Sequence, residues 1–105
     1  FEIMNVLIQK KLDEIIDVCK QHHVGALSLF GSAANNTMHK DSDIDFLVEF
    51  SSDIDVLDYA DNYFSLHEKL QDILNRKVDL LSTKSIKNSV LKQEIDRSKV
   101  SLYAA

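Results

Sequence analysis

The chain has 105 residues, of which 45% are hydrophobic and 28% charged, and its net charge is −5. This length suits a single domain over residues 1–105, and an acidic balance without a basic run argues against a protein that coats nucleic acid. No apolar run approaches the roughly 18 residues of a membrane span, so no membrane segment is predicted. Cys19 is the single cysteine and cannot form an internal disulfide. The expected location is the cytoplasm.

Three elements are predicted in the first half of the chain. Apolar side chains recur at helical spacing over residues 4–22 and predict a helix. Gly25 is expected to end that helical segment, and a first strand is predicted over residues 26–30. A second strand, over residues 44–50, is the most strongly apolar stretch and is expected to lie centrally in a sheet.

Cys19 raises the question of a zinc site, because with His22 or His23 it has a spacing that metal ligands use on a helix. No second ligand cluster accompanies this pair. We therefore interpret Cys19 as a small core residue.

Three further elements are predicted in the second half: a helix at 56–74, a strand at 78–81 and a helix at 84–96. Residues 100–103 are expected either to add a short edge segment or to dock on the sheet. The aromatic residues Tyr59, Tyr63 and Phe64 are assigned to the core or to a partner interface rather than to base stacking. His67 is expected to be exposed. The last helix is expected to turn four apolar side chains inward, namely Ile86, Val90, Leu91 and Ile95.

Two aspartates open the second strand. Because side chains alternate across a strand, Asp43 and Asp45 share one face, while Ile44 and Phe46 lie on the other. Adjacent carboxylates repel each other, so either a proton or a metal is expected between them, and their oxygens suit Mg²⁺. The alternative is a polar turn that runs into a strand.

A Gly-Ser turn and a third aspartate are expected at the same place. Gly31 and Ser32 follow the first strand and can offer backbone N–H groups and a hydroxyl to phosphate oxygens. The first two strands must run antiparallel, and a helical crossover makes the third strand parallel to the second. Asp79 then arrives beside Asp43 and Asp45. The alternative is a solvent-facing aspartate at the start of a strand.

The stretch GSAANNTMHKDSDIDFLVEF resembles the signature of polymerase-beta-like nucleotidyltransferases, and the short chain resembles their minimal, stand-alone members. The resemblance implies an α/β (α+β) fold, a small mixed sheet of three or more strands flanked by helices. It implies that Gly31 and Ser32 bind nucleotide phosphates and that Asp43, Asp45 and Asp79 hold two Mg²⁺ ions. Such minimal proteins are commonly the antitoxin-like partners of helical HEPN proteins.

The expected reaction is transfer of a nucleoside monophosphate, most simply AMP from ATP, to a hydroxyl of a partner protein. Asn35 and Asn36 stand where the family usually has an arginine and a glycine. This departure motivates an alternative, a catalytically weak module that neutralises its partner by contact. A further alternative is a small-molecule transferase of the antibiotic-modifying kind, although such enzymes generally carry more chain to bind their acceptor.

Overall fold

A computed structural model describes residues 3–31 and 43–105. Its elements in chain order are α1 (Ile3–Gln21), β1 (Val24–Phe30), β2 (Ile44–Phe50), α2 (Tyr59–Leu74), β3 (Val78–Ser82), a 3-10 turn (Thr83–Ser85), α3 (Ser89–Ser98) and β4 (Val100–Ala104). The predicted phosphate-binding residue Ser32 and the motif positions Asn35 and Asn36 lie outside the described residues. Across those described ranges, no helix is long and apolar enough to cross a membrane.

The four strands form one mixed sheet in the order β3-β2-β1-β4. β1 pairs antiparallel with both β2 and β4, and β2 pairs parallel with β3. The parallel pair confirms the crossover expected from chain order, in which α2 carries the chain back to the same end of the sheet. β4 confirms the edge segment, one of the two expectations for residues 100–103.

One face of β2 builds the core. Ile44, Phe46 and Val48 are 0% exposed and Phe50 is 8% exposed, as period-two alternation predicts. Apolar residues of both long helices join the same buried cluster, among them Ile8, Ile15, Cys19, Leu66, Leu70 and Leu74. The two long helices pack on one face of the sheet, and the charged side chains of β2 lie on the opposite face.

The end of α1 differs from the prediction. The left-handed residue that ends the helix is His23, at φ 57°, and not Gly25, which lies within β1 beside an irregularity in the pairing with β2. His22 is buried: its Nδ1 donates to the Val18 carbonyl at 2.7 Å, and its Nε2 lies 2.9 Å from the Ser65 hydroxyl. His22 therefore ties α1 to α2.

α2 begins later than predicted. The helix starts at Tyr59 rather than at residue 56, because Asp55 accepts the Leu57 N–H at 2.9 Å in a tight polar turn. Val56 and Leu57 are 84% and 86% exposed, so Val56, the predicted first residue of the helix, lies before it and is not part of the core. The helix ends at Asn75, which takes the left-handed conformation at φ 52°.

The last helix is shorter than predicted. Its N-cap is Asn88, whose side-chain oxygen accepts the N–H groups of Val90 and Leu91 at 2.9 and 3.1 Å, so the helix proper begins at Ser89. Val90 and Leu91 are 68% and 49% exposed, which corrects the expectation that they face inward. Ile95 is buried as predicted.

Candidate active site

The sheet register brings the predicted carboxylates together. Asp45 and Asp79 are direct partners in the parallel pair of β2 and β3, so their side chains lie on the same face. Asp43 precedes Asp45 by two residues and therefore shares that face. Asp43 and Asp45 are partly buried, while Asp79 is exposed.

Gly31 lies directly against this group. It follows Phe30, the β1 partner of Asp45, and takes a left-handed conformation at φ 65°. A Cβ added at Gly31 would stand 2.5 Å from Oδ2 of Asp45, closer than any real Cβ contact. Only glycine combines this backbone conformation with this approach, so the turn and the Asp45 carboxyl group depend on each other.

The carboxyl groups are electrostatically coupled. Burial raises the pKa of Asp45 above its ordinary value, and the negative charges of Asp79 and Asp43 raise it further. A hydrogen bond between the Asp45 and Asp79 side chains acts in the same direction. Such a bond needs a proton on one of the two groups, so the site as folded favours a positive charge between them.

The donor chemistry fits a hard divalent cation. Carboxylate oxygens are the protein ligands that Mg²⁺ takes, and a cation would offset the repulsion between Asp45 and its acidic neighbours. The side chains are not already gathered into a cage: within residues 3–31 and 43–105, no three His, Cys, Asp or Glu side chains are placed to hold a metal together. The negative charge of Asp43 acts on Asp45 from the same face of the strand.

Cys19 takes no part in such a site. It is 0% exposed, and burial raises the pKa of its thiol to about 12. A thiol that stays protonated is a poor metal ligand. The interpretation of Cys19 as a core residue is confirmed.

Two neighbouring cavities border the third strand. One, of about 220 Å³, is lined by Phe30, Asp79, Leu80 and Leu81. A larger one, of about 640 Å³, shares Leu80 and Leu81 and continues to the outer side of α2, where Phe64 is 64% exposed. Lys84 and Lys87 line its rim. A substrate held at the carboxylates thus has room to extend along β3.

Sequence reasoning missed a set of α2 side chains that contact β3. His67 Nε2 donates to the Val78 carbonyl at 2.6 Å, and the Tyr63 hydroxyl donates to the Leu80 carbonyl. His67 is therefore partly buried, which corrects the expectation that it is exposed. The available signal was a spacing of four residues between polar side chains on one side of the helix. Tyr59 and Tyr63 also pack against the core, as predicted.

Residues 13–105 match the family described as polymerase beta, nucleotidyltransferase. The chain therefore belongs to the polymerase beta nucleotidyltransferase family, and the resemblance, fold class and enzyme class predicted from the sequence are confirmed.

Individual relatives agree with this assignment. The chain is 37% identical over 95 residues to "Putative protein adenylyltransferase MJ0128" of Methanocaldococcus jannaschii, covering 83% of this chain and 93% of that protein. A crystal structure of a toxin-antitoxin with AMP-PNP is 27% identical, with a TM-score of 0.69 over 90% of this chain and 73% of that one. A structure named "putative minimal nucleotidyltransferase" is 24% identical, with a TM-score of 0.70, and covers 94% of this chain and 95% of that one. At that identity the last likeness shows the fold alone.

Proposed function

We propose that the chain is a Mg²⁺-dependent adenylyltransferase that moves AMP from ATP to a hydroxyl group of a partner protein. The observation that carries this proposal is the pairing of Asp45 with Asp79 in register, with Asp43 on the same face and Gly31 against Asp45. The adenylyltransferase name of the Methanocaldococcus relative supports AMP as the group transferred. The AMP-PNP in the toxin-antitoxin structure supports ATP as the donor.

Each residue has a distinct part in this proposal. Asp43, Asp45 and Asp79 would hold two Mg²⁺ ions through their carboxylate oxygens. When bound, the ions offset negative charge on the triphosphate and acidify the attacking hydroxyl. Asp79, the exposed carboxylate, accepts the hydroxyl proton. Gly31 and Ser32 bind the departing phosphates and so orient the α-phosphorus for in-line attack.

The acceptor is proposed to belong to a second protein. The larger cavity beside β3 includes the exposed ring of Phe64 in its lining, which leaves space for a second protein to bring its hydroxyl group to the site. The similar toxin-antitoxin structure supports a partner of the toxin class. We propose a helical HEPN-type protein in this role, with the present chain as the antitoxin, acting in the cytoplasm where ATP is abundant.

The test follows label from α-labelled ATP with Mg²⁺ into proteins of the native lysate. We expect a labelled band with the wild-type chain and a loss of about 100- to 1,000-fold with Asp45→Asn, since removal of one transition-state charge contact has effects of this size. Glu49→Gln is the matched control, because Glu49 is an exposed carboxylate further along the same strand. It should label like wild type.

A second candidate is a binding module that neutralises its partner by contact, which the substitutions at Asn35 and Asn36 favour. It predicts that purified partner binds the chain equally well with and without Asp45→Asn, while no label is transferred by either. That outcome, with the partner shown to be present, would replace the enzymatic proposal. Labelling of a small hydroxyl compound by the isolated chain would instead indicate the antibiotic-type alternative.

A further inference from the structure

β3 is an edge strand, so the N–H and carbonyl groups of successive residues point alternately toward β2 and away from the sheet. The Lys77 carbonyl accepts the Ile44 N–H at 3.0 Å, so Lys77 and Asp79 direct their backbone groups toward β2. Val78 and Leu80 direct theirs away from the sheet. On an edge strand such outward groups normally face solvent or pair with another chain.

Here α2 supplies their partners. Val78 N–H donates to Oε1 of Gln71 at 3.1 Å, and the Val78 carbonyl accepts from His67. The Leu80 carbonyl accepts from the Tyr63 hydroxyl. These three side chains recur every four residues along one side of α2, and we call them the α2 ladder.

Asp79 lies between the two carbonyls that the ladder holds. Its own backbone is directed to β2, while the residues before and after it are bonded to α2. Because the Asp79 side chain is exposed, packing contributes little to its position, which depends on its backbone and on the hydrogen bond to Asp45. Groups of a transfer site have to be held within about 0.5 Å of their working geometry.

We propose that Tyr63 and His67 are positioning residues, which hold β3 on both sides of Asp79 and thereby keep its carboxyl group beside Asp45. This inference rests on the proposed function for its catalytic meaning. The raised pKa of Tyr63, caused by burial first and then by the nearby Tyr59 and Asp79, agrees with a phenol close to that carboxylate.

Tyr59 offers a matched control on the same helix. It is one turn earlier, is also partly buried, and its hydroxyl lies 2.9 Å from the Ser82 hydroxyl, three residues beyond Asp79. Tyr59→Phe and Tyr63→Phe each remove one hydroxyl and keep the ring. If the two hydroxyl groups served only general stability, the two variants would have the same Mn²⁺ affinity and the same amide exchange at Asp79.

The first measurement is Mn²⁺ binding, followed by electron paramagnetic resonance in the presence of a non-hydrolysable ATP analogue. Tyr63→Phe should weaken Mn²⁺ binding about 10-fold, which is the lower end of the effect seen when a residue that supports a metal ligand is lost. Tyr59→Phe should weaken Mn²⁺ binding by less than about twofold. In transfer assays Tyr63→Phe should lower kcat with little change in the KM for ATP. His67→Gln, which keeps an N–H donor, should retain more affinity than His67→Leu.

The second measurement needs no metal. Amide hydrogen exchange at Asp79 should be about 10-fold faster in Tyr63→Phe than in Tyr59→Phe, because the edge strand opens locally when its outer bond is lost. Equal exchange and equal Mn²⁺ affinity in the two variants would overturn the positioning role. If wild type binds Mn²⁺ no better than Asp45→Asn, the proposed function fails, and the exchange comparison alone decides whether the ladder holds Asp79.

Discussion

The two faces of β2 differ in what they contribute. On one face Ile44, Phe46 and Val48 are fully buried between the sheet and the helices. On the other, Asp43 and Asp45 place like charges side by side, and burial of Asp45 adds to the cost. Further along the same face, Leu47 is again buried. The pair of neighbouring carboxylates therefore lies at the end of the strand where β1, β2 and β3 meet, and the charge of Glu49, further along this face, is exposed to solvent.

This difference indicates how the strand serves both stability and function. The apolar face contributes to the free energy of folding, whereas the repulsion at the charged end reduces it, and in the proposed function a bound cation offsets that repulsion. Functional sites commonly carry such a cost, and substitutions that relieve it stabilise the protein while removing activity. Substitutions on the two faces should therefore have opposite effects, and four experiments test this.

The largest effect is expected on the buried face. Phe46→Ala removes a fully buried ring from the middle of the core and should lower the free energy of unfolding by about 3–5 kcal/mol. Chemical denaturation with circular dichroism measures it. A loss below about 1 kcal/mol would show that this face does not form the core.

Next is the turn that touches the charged face. Gly31→Ala would drive a Cβ into Oδ2 of Asp45 and should lower kcat about 100-fold, the effect of a displacement of about 1 Å at a reacting group. Gly25→Ala is the control, because its nearest contact would be the Glu49 carbonyl oxygen at 3.3 Å and the site is untouched. Equal activity of the two variants would contradict a role for Gly31 in shaping the site.

Mg²⁺ should stabilise the wild-type chain through the same face. At ten times the dissociation constant, a ligand that binds only the folded state raises the free energy of unfolding by about 1.4 kcal/mol. Asp45→Asn should lose most of this gain and Glu49→Gln should keep it. Stabilisation of all three chains to the same extent would place the ion elsewhere.

The smallest effect is the pH dependence of stability without metal. Because the folded-state pKa of Asp45 lies above its ordinary value of 3.8, the protonated group favours folding at low pH, and that contribution is lost as pH rises through the folded-state pKa. At neutral pH Asp45→Asn should therefore be more stable than wild type. The difference should be on the order of 0.5 kcal/mol, since water screens a partly exposed group.

At a pH well below 3.8 the stabilities of wild type and Asp45→Asn should converge, because the aspartate is then neutral in both the folded and unfolded states. Saturating Mg²⁺ at neutral pH should reverse their order. A wild-type chain that is the more stable of the two at neutral pH without metal would contradict the account of the charged face.

Much of this arrangement could be predicted from the sequence because it depends on strong periodicity. The bounds of β2 and its inward face match the prediction, as alternation over seven residues specifies both. The position of Asp79 beside Asp45 followed from the handed crossover through α2, and the parallel register confirms it.

The remaining features depend on tertiary structure that periodicity does not encode. The α2 ladder can form because β3 is an edge strand with unpaired outer backbone groups. The spacing of four residues between polar side chains does not show that β3 lies at the edge. The left-handed turn at His23 replaced the one expected at Gly25, because a non-glycine residue can take that conformation when its surroundings hold it. Val90 and Leu91 have the spacing of an inward-facing helical stripe, yet both lie in the first turn after the Asn88 cap and are exposed. Of the residues in this helix, Ile95 is the buried one.

The most direct test of the central claim is anomalous diffraction from crystals grown with Mn²⁺ and a non-hydrolysable ATP analogue. We expect two Mn²⁺ peaks about 3.5–4 Å apart, both bound by Asp43 and Asp45 and one also by Asp79, with the phosphates against the Gly31 turn. Nucleotide bound with no Mn²⁺ at these carboxylates, or Mn²⁺ bound without Asp45, would contradict it.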